Sequence, residues 1–174
     1  MSHADFRLSL VVPVYNEEES IDAFISAIDA ELAPLKDRLE IVFVNDGSRD
    51  RTREVVEQAI ARDPRVTLVN LARNFGKEAA LTAGLDRIER GAALILDADG
   101  QDPPELLPQF VAKWREGFDD VHGTRVAREG EGVFKRASAH GFYRVIGALS
   151  KTPVPRDTGD FRLLSPRALA ALRQ

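Results

Sequence analysis

Short apolar runs alternate with amphipathic stretches along the first two thirds of the chain. The first apolar run spans residues 8–14. Apolar side chains then recur every three or four positions over residues 18–32, which predicts a strand followed by a helix with one buried face. The alternation continues to about residue 115. Repeated strand–helix units are typical of an α/β domain in which a mostly parallel central sheet is flanked by helices.

The same patterns, together with residues that begin or end helices, place the remaining elements. Asp50 and Ser165 stand where they can cap the helices that follow them, and a polar segment containing Gly130 and Gly132 is typical of a mobile loop. We predict strands at residues 8–14, 41–44, 66–71, 92–96, 121–124 and 161–164, and helices at residues 18–32, 52–62, 77–89, 103–115, 133–149 and from 166 onward.

Polar residues follow three of the predicted strands directly. They are Tyr15-Asn16-Glu17, Asn45-Asp46-Gly47-Ser48 and Asp97-Ala98-Asp99-Gly100-Gln101-Asp102. Ligands of open parallel sheets bind outside the carboxyl ends of the strands, so residues at these positions are the first candidates for a functional site.

Asp97 and Asp99 place two carboxylates at one strand-to-turn junction. Oxygen ligands of this kind suit a hard divalent cation such as Mg²⁺ or Mn²⁺, which can bridge a diphosphate. An isolated Asp-x-Asp also occurs in solvated turns. The position after a buried strand, with two other polar strand ends converging on it, favours the metal-binding interpretation.

Composition narrows the class of protein. The length of 174 residues and the hydrophobic content of 44% predict one domain with one core, and the formal net charge of -4 argues against general nucleic-acid binding. The charge is uneven, since residues 1–120 hold 14 Lys and Arg against 24 Asp and Glu, whereas residues 121–174 hold 10 against 4. The basic part is suited to phosphates or an anionic membrane surface.

Several classes of site and segment are disfavoured. The absence of cysteine excludes disulfides and thiolate sites. The first residues lack the features of a signal peptide and no apolar run is long enough to cross a bilayer, so we expect the chain itself to be soluble. A dinucleotide-dependent dehydrogenase is disfavoured because no Gly-x-Gly-x-x-Gly follows the first strand.

Taken together, the motifs resemble those of family 2 glycosyltransferases with the GT-A fold. The motifs are Val12-Pro13-Val14-Tyr15-Asn16-Glu17-Glu18, Asn45-Asp46-Gly47-Ser48-Arg49-Asp50-Arg51-Thr52 and Asp97-Ala98-Asp99-Gly100-Gln101-Asp102-Pro103-Pro104-Glu105. Two further stretches, residues 73–80 and 157–163, resemble the polyprenyl-phosphate glycosyltransferases, the group of bactoprenol glucosyltransferases and dolichol-phosphate mannose synthases. The resemblance covers about residues 8–165, and three ordered motifs are more specific than any single one.

The resemblance implies a role for each candidate residue. Donor-binding residues would be Pro13, Tyr15, Glu17, Val44, Asp46, Lys77, Asp97, Ala98, Asp99, Gln101 and Arg125, with Asp97 and Asp99 also holding the metal and Gly76 able to approach the donor. Lys77 could instead simply begin a helix. Acceptor phosphate would be held by Arg128, Lys135 and Arg136, which without the resemblance form an ordinary basic face.

Asp160 and Asp99 are the candidate catalytic residues. Asp160 matches the position of the catalytic base in the family, although a phosphate monoester is already mostly dianionic at neutral pH and needs little deprotonation. Asp160 could therefore orient the acceptor or the metal, or pair with Arg162 or Arg156.

The resulting hypothesis is an inverting hexosyltransferase that uses a UDP-glucose or GDP-mannose type of donor and a polyprenyl phosphate acceptor. Two alternatives stay open: a transferase with a sugar-hydroxyl acceptor, and a donor-binding fragment that does not transfer. Gly100 stands where relatives usually carry Leu. The relatives continue into an interfacial helix and transmembrane helices, so we expect residues 1–174 to be a single catalytic domain of a longer enzyme at the cytoplasmic side of the plasma membrane. The oligomeric state is open, a homo-oligomer included.

Overall fold

A computed structural model of the chain describes residues 7–124 and 158–174, which contain a six-stranded sheet and five α-helices. The strands are β1 Leu8–Val14, β2 Leu39–Asn45, β3 Val66–Asn70, β4 Ala92–Ile95, β5 Asp120–Thr124 and β6 Thr158–Leu164. The α-helices are α1 Ile21–Glu31, α2 Thr52–Arg62, α3 Lys77–Arg87, α4 Leu107–Arg115 and α5 Pro166–Leu172, and short 3₁₀ helices cover Ala33–Arg38 and Pro104–Leu106.

The strands follow the order β3-β2-β1-β4-β6-β5 across the sheet. β1 pairs in parallel with β2 and β4, and β2 pairs in parallel with β3, whereas β6 runs antiparallel to β4. The chain thus moves outward from β1 in one direction as far as β3 and then returns to the other side of β1 for β4. Such a reversal opens a crevice at the carboxyl ends of the two strands where it occurs.

Residues of β1 alternate between two hydrophobic cores, one on each face of the sheet. Leu10 and Val12 face a core that includes residues of α1, α2 and α4, while Val11 faces a core that includes residues of α3 and α5. This period of two explains why β1 reads as a continuous apolar run, because both of its faces are buried. The predicted mostly parallel sheet with flanking helices is confirmed.

Glycine lets α3 approach the sheet closely. A Cβ atom on Gly84 would lie 2.5 Å from Val11 Cγ1 and 2.9 Å from Val44 Cγ2. A larger residue here would force α3 away from the strands, and α3 begins with Lys77 at the carboxyl edge of the sheet.

The predicted elements match the observed ones within a few residues, with three informative differences. α3 ends at Arg87 rather than at residue 89 because Ile88 is extended and buried. The segment after Pro103 begins as a 3₁₀ helix and becomes α-helical at Leu107. Asp50 caps α2 from two residues before its first residue, and Ser165 accepts a hydrogen bond from Ala168 N as predicted.

The chain divides into two compact units, Met1–Val121 with Asp160–Gln174 and His122–Gly159. All of the site geometry below belongs to the first unit. The helix predicted at 133–149 and the loops predicted at 125–132 and 152–158 lie outside the described residues, apart from Thr158, which begins β6. In the part of the chain that is described, no helix has the length and apolar character needed to cross a membrane.

Candidate active site

A cleft of about 320 Å³ lies at the carboxyl edge of the sheet, where the loops after β1, β2, β3 and β4 meet. It is lined by Pro13, Val14, Tyr15, Glu17, Asp46, Asn74, Gly76, Lys77, Ala80, Asp97, Ala98 and Asp99. Its position is the one expected for a ligand site in a sheet whose strand order reverses beside β1.

Hydrogen bonds join the loop after β1 to the loop after β2. Asn16 N donates to Ser48 Oγ at 3.0 Å, and Arg49 N donates to Asn16 Oδ1 at 2.9 Å. Asn16 adopts a positive φ of 57°, a conformation that asparagine tolerates better than most residues. The strained turn is therefore held from both sides, and it presents the half-exposed Tyr15 ring to the cleft.

The buried Thr52 side chain fixes the backbone of Glu17. Glu17 N donates to Thr52 Oγ1 at 2.7 Å, and the Thr52 hydroxyl donates to Asp50 Oδ1 at 2.6 Å. Partial burial by itself raises the pKa of Asp50, but the hydrogen bonds from Thr52 and from Glu18 N outweigh it and lower that pKa below its ordinary value. The Glu17 carboxylate in turn accepts a hydrogen bond from Ser20 Oγ at 2.8 Å.

Asp46 organises the loop after β3 from its buried position. Its two carboxylate oxygens accept hydrogen bonds from Phe75 N at 2.7 Å and from Gly76 N at 2.9 Å. The next residue, Gly47, has a φ of 67°, and a Cβ atom there would lie 2.4 Å from the carbonyl carbon of Arg73. The glycine therefore allows the two loops to pack together, which brings Asn74 and Gly76 to the wall of the cleft.

The turn after β4 holds the two carboxylates of the Asp-x-Asp motif. Asp97 N donates to a carboxylate oxygen of the buried Asp102 at 2.9 Å, and Gln101 N donates to Asp99 Oδ1 at 3.0 Å. The turn also contains Gly100 at a φ of 76°, with no atom within 4 Å of the place where a Cβ would lie. Asp97 and Asp99 are thus both fixed at the edge of the same cleft.

Lys77 bridges Asp97 and Asp160. Lys77 Nζ lies 2.7 Å from Asp97 Oδ2 and 2.9 Å from Asp160 Oδ2. Partial burial by itself lowers the pKa of Lys77, but the hydrogen bonds to the two carboxylates outweigh it and raise that pKa above its ordinary value, so the ammonium group stays charged.

The register of β6 explains why Asp160 meets this pair. Leu94 lies opposite Leu163 and Ile95 opposite Arg162 in the antiparallel ladder. Continuing the same register by two residues along each strand brings Asp97 and Asp160 to the same edge. Arg162 lies 4.0 Å from Asp120, so Asp160 pairs with Lys77 rather than with Arg162, and Arg156 lies outside the described residues.

The donor set at Asp97 and Asp99 suits a divalent cation that also binds phosphate. No group of three or more acidic, histidine or cysteine side chains suited to a metal occurs within residues 7–124 and 158–174. Mg²⁺ is commonly held by only one or two carboxylates together with substrate phosphates, and Mn²⁺ accepts the same oxygen ligands. Two carboxylates beside an open cleft fit that arrangement.

Among the described residues that were predicted to bind a donor, eight line the cleft and two do not. Val44 is fully buried, and its side chain packs under α3, close to Gly84. Gln101 is exposed beside the Asp-x-Asp turn, outside the lining of the cleft. The predicted residues that line it are Pro13, Tyr15, Glu17, Asp46, Lys77, Asp97, Ala98 and Asp99. Arg125, Arg128, Lys135 and Arg136 lie outside the described residues.

The cleft also contains residues for which no role was predicted. Asn74 follows β3 and reaches the wall of the cleft, and Ala80 lies one turn into α3. Asn74 lies three residues beyond the predicted third strand, so the strand-end argument did not reach it, but it falls within the stretch 73–80 that carries the family resemblance. Ala80 carries no polar signal, because an alanine in a helix is indistinguishable from a core residue in the sequence.

A family model connects this geometry to known proteins. The model of glycosyl transferase family 2 matches residues 9–173. The chain therefore belongs to glycosyl transferase family 2.

Curated relatives support the family and show how much of them the chain represents. The chain is 44% identical over 168 residues to an uncharacterized glycosyltransferase of Synechocystis, covering 97% of this chain and 53% of the relative. It is 42% identical over 161 residues to the bactoprenol glucosyl transferase of Shigella phage SfV, covering 91% of this chain and 52% of that protein. The chain thus spans about half the length of these relatives.

A solved structure shares the fold. The chain resembles a mannosyltransferase of Pyrobaculum calidifontis, solved in complex with GDP-Man and Mn²⁺, with a TM-score of 0.67 and 26% identity. The similarity covers 98% of this chain and 47% of the mannosyltransferase. The expected fold, that of the GT-A glycosyltransferases, is confirmed.

Proposed function

We propose that this chain carries the donor-binding and catalytic part of an inverting glycosyltransferase, which moves a hexose from a nucleotide-diphosphate sugar to a polyprenyl phosphate. The observation that carries the proposal is the convergence of Asp97 and Asp99 with Tyr15 and Glu17 on one cleft at the carboxyl edge of the sheet. Membership of glycosyl transferase family 2 supports the reaction class. The choice of a polyprenyl phosphate as the acceptor is supported by the relative named bactoprenol glucosyl transferase.

The donor nucleotide would lie along the β1 side of the cleft. Pro13, Tyr15 and Glu17 would contact its base and ribose, because they line this side and their loop is held by Ser48 and Thr52. An aromatic ring and a carboxylate suit those partners, since the ring packs on a base and the carboxylate accepts ribose hydroxyl hydrogen bonds. Arg125 stays a predicted contact to the diphosphate.

The diphosphate would lie beside Asp97 and Asp99. These two carboxylates would hold Mg²⁺ or Mn²⁺, and the mannosyltransferase with GDP-Man and Mn²⁺ supports a divalent cation in such a fold. When bound, the cation would neutralise negative charge on the diphosphate. Asp99 would be the more direct ligand.

The reaction would be a direct displacement. A phosphate oxygen of the acceptor attacks the anomeric carbon from the face opposite the leaving nucleoside diphosphate, so one C–O bond forms while another breaks and the configuration inverts. Asp160 lies at the cleft edge beside Lys77 and would orient the acceptor phosphate, which is already mostly dianionic at neutral pH. Arg128, Lys135 and Arg136 remain predicted acceptor contacts, and the whole enzyme would act at the cytoplasmic side of the plasma membrane.

Isothermal titration calorimetry tests the donor site directly. The chain is titrated with UDP-glucose and with GDP-mannose, in Mn²⁺ and in EDTA. We expect one donor to bind in Mn²⁺ and to bind much more weakly in EDTA. Asp99→Ala should abolish the metal-dependent part of the binding.

The matched control is Asp37→Ala. Asp37 is exposed in the 3₁₀ helix that precedes β2, at the opposite edge of the sheet, so its removal should leave donor binding unchanged. Failure of both donors to bind in either condition would refute the proposed donor site. Binding without transfer to polyprenyl phosphate would favour a donor-binding part, and transfer only to a saccharide would favour a hydroxyl acceptor.

A further inference from the structure

Among the described residues that line the cleft, Lys77 is the positively charged one. The negatively charged ones are Glu17, Asp46, Asp97 and Asp99. Its ammonium group is shared between Asp97 and Asp160, at 2.7 and 2.9 Å. Asp97 is also a residue to which the proposed function assigns a divalent cation. The Asp97 carboxylate would therefore bind either the Lys77 ammonium group or the proposed divalent cation.

We propose that Lys77 is a competing cation for the metal site: in the free protein it holds Asp97 and Asp160 together, and the donor diphosphate releases it from Asp97 when the metal binds. The proposal rests on the proposed function and goes beyond it, because it assigns to Lys77 control over when the metal binds. Lys77 is a positioning residue in the free protein and a donor contact in the complex.

The geometry makes the competition direct. Lys77 Nζ occupies the Oδ2 side of Asp97 at hydrogen-bond distance, so a divalent cation that uses this oxygen must displace the ammonium group or share it at a cost in repulsion. The backbone of Lys77 does not have to move, since it is the first residue of α3 and follows Gly76. Rotation of the flexible lysine side chain is enough to release the carboxylate.

The donor offers the released ammonium group a new partner. The side chain is about two-fifths exposed and lines the same cleft as Tyr15 and Asp99, so a diphosphate in the cleft comes within reach of Nζ. A lysine ammonium is a flexible point charge that suits phosphate oxygens. Metal and diphosphate should therefore bind cooperatively, since each one removes the obstacle to the other.

The consequence is a low occupancy of the metal site before the donor arrives. Without Lys77, Asp97 and Asp160 would lose the positive charge that they share, so this edge of the cleft would attract a divalent cation more strongly. With Lys77 in place, part of their negative charge is already neutralised. The lysine thus favours entry of the metal together with the nucleotide.

Binding of Mn²⁺ to the chain without nucleotide tests the proposal, with the loss of the free Mn²⁺ signal in electron paramagnetic resonance as the readout. We expect Lys77→Met to bind Mn²⁺ about tenfold more tightly than the wild type, within the usual range of coupling between sites. Lys77→Arg, which keeps the charge, should stay within about twofold of the wild type. Lys77→Gln supplies a second neutral variant, and thermal melting verifies that each variant is folded.

The matched control for general electrostatics is Arg73→Met. Arg73 is an exposed cation in the same loop, and its guanidinium lies over the Phe75 ring rather than on Asp97. The Arg73→Met substitution lowers the positive charge near the cleft but leaves Lys77 on the Asp97 carboxylate. An unchanged Mn²⁺ affinity in Lys77→Met and Lys77→Gln, or an equal gain in Arg73→Met, would overturn the proposal.

A second arm repeats the titration with saturating UDP and with GDP. Nucleotide should tighten Mn²⁺ binding by a smaller factor in Lys77→Met than in the wild type, because the variant has no ammonium group to displace. If neither nucleotide binds the wild type, the proposed function fails. The comparison of metal affinities without nucleotide still decides the role of Lys77.

Discussion

Glu17 N donates a hydrogen bond to the Thr52 hydroxyl at 2.7 Å, although 35 residues separate the two in sequence. Thr52 is fully buried and begins α2, whereas Glu17 lies on the cleft. The hydroxyl therefore ties the loop after β1 to the first turn of a packed helix.

Thr52→Val should loosen this loop while preserving the shape of the core. The variant leaves Glu17 N and Asp50 without their shared partner, so we expect a loss of about 1–2 kcal/mol in the free energy of unfolding and several-fold weaker donor binding. Urea denaturation and calorimetry measure the two effects. Thr67→Val is the control, because the Thr67 hydroxyl makes only a long contact of 3.5 Å to Ile41 O. Equal effects of the two substitutions would contradict the assignment.

Asp46→Asn should expose the backbone of the loop after β3. In the wild type, the two Asp46 oxygens accept from Phe75 N and Gly76 N. An asparagine amide has only one acceptor oxygen, so its NH₂ group would face one of these two N–H donors. We expect the amide hydrogens of Phe75 and Gly76 to exchange at least about tenfold faster with solvent, since one lost hydrogen bond costs about 1.4 kcal/mol or more. Hydrogen exchange followed by NMR gives the rates. Retained protection at both amides would show that other contacts hold the loop.

Gly47→Ala should be more damaging than Gly117→Ala. Both glycines have positive φ, 67° and 106°, so both substitutions carry a backbone cost of about 1–2 kcal/mol. Only at Gly47 does the added methyl group meet other backbone, at 2.4 Å from the carbonyl carbon of Arg73, whereas nothing lies within 4 Å at Gly117. We expect an additional loss of about 1–3 kcal/mol at Gly47. Thermal melting of both variants measures the difference, and equal destabilisation would contradict the packing argument.

Asp63 should make stability depend on pH in the acid range. The hydrogen bond with the Arg65 side chain lowers the pKa of Asp63 below its ordinary value of 3.8, so its stabilising contribution is complete above that pH and disappears as pH falls through the lowered value. Asp63→Asn should cost about 1 kcal/mol at pH 7 and progressively less below about pH 4. Urea denaturation at several pH values follows the difference.

Asp37→Asn is the comparison for this pH series. Asp37 is exposed in the 3₁₀ helix Ala33–Arg38, and its substitution should change stability little at any pH. A cost of Asp63→Asn that stays constant down to the lowest pH would show that the amide disturbs packing rather than charge.

The sheet and most of the cleft were predictable because both depend on local signals. The apolar runs before Tyr15, Asp46 and Asp97 identify buried strands, and parallel strands bring their carboxyl ends to one edge. The resemblance to family 2 glycosyltransferases added the roles, and the family itself is confirmed. The roles of the individual residues stay predictions.

Contacts that depend on tertiary register were not predictable. The sequence gives no sign that Lys77 joins Asp97 to Asp160, because that bridge requires β6 to lie antiparallel to β4 in one particular register. Val44 shows the same limit. It was predicted to contact the donor but is buried in the core beneath α3, because a strand that is apolar on both faces gives no sign of which side chains reach the cleft. Arg162 likewise turned towards Asp120 instead of Asp160.

The place of β6 in the sheet affects the order in which the molecule can be assembled on the ribosome. β6 lies between β4 and β5, two strands that are synthesised before it, so the edge of β4 stays open until residues 158–164 have emerged. The cleft lining belongs to β1–β4 and the loops and helix between and after them, and it is complete earlier in translation. Asp160 is synthesised after the residues that line the cleft. A chain that pairs β6 with β4 one residue out of register would turn the wrong side chains of β6 into the core and lose the bridge between Asp160 and Lys77.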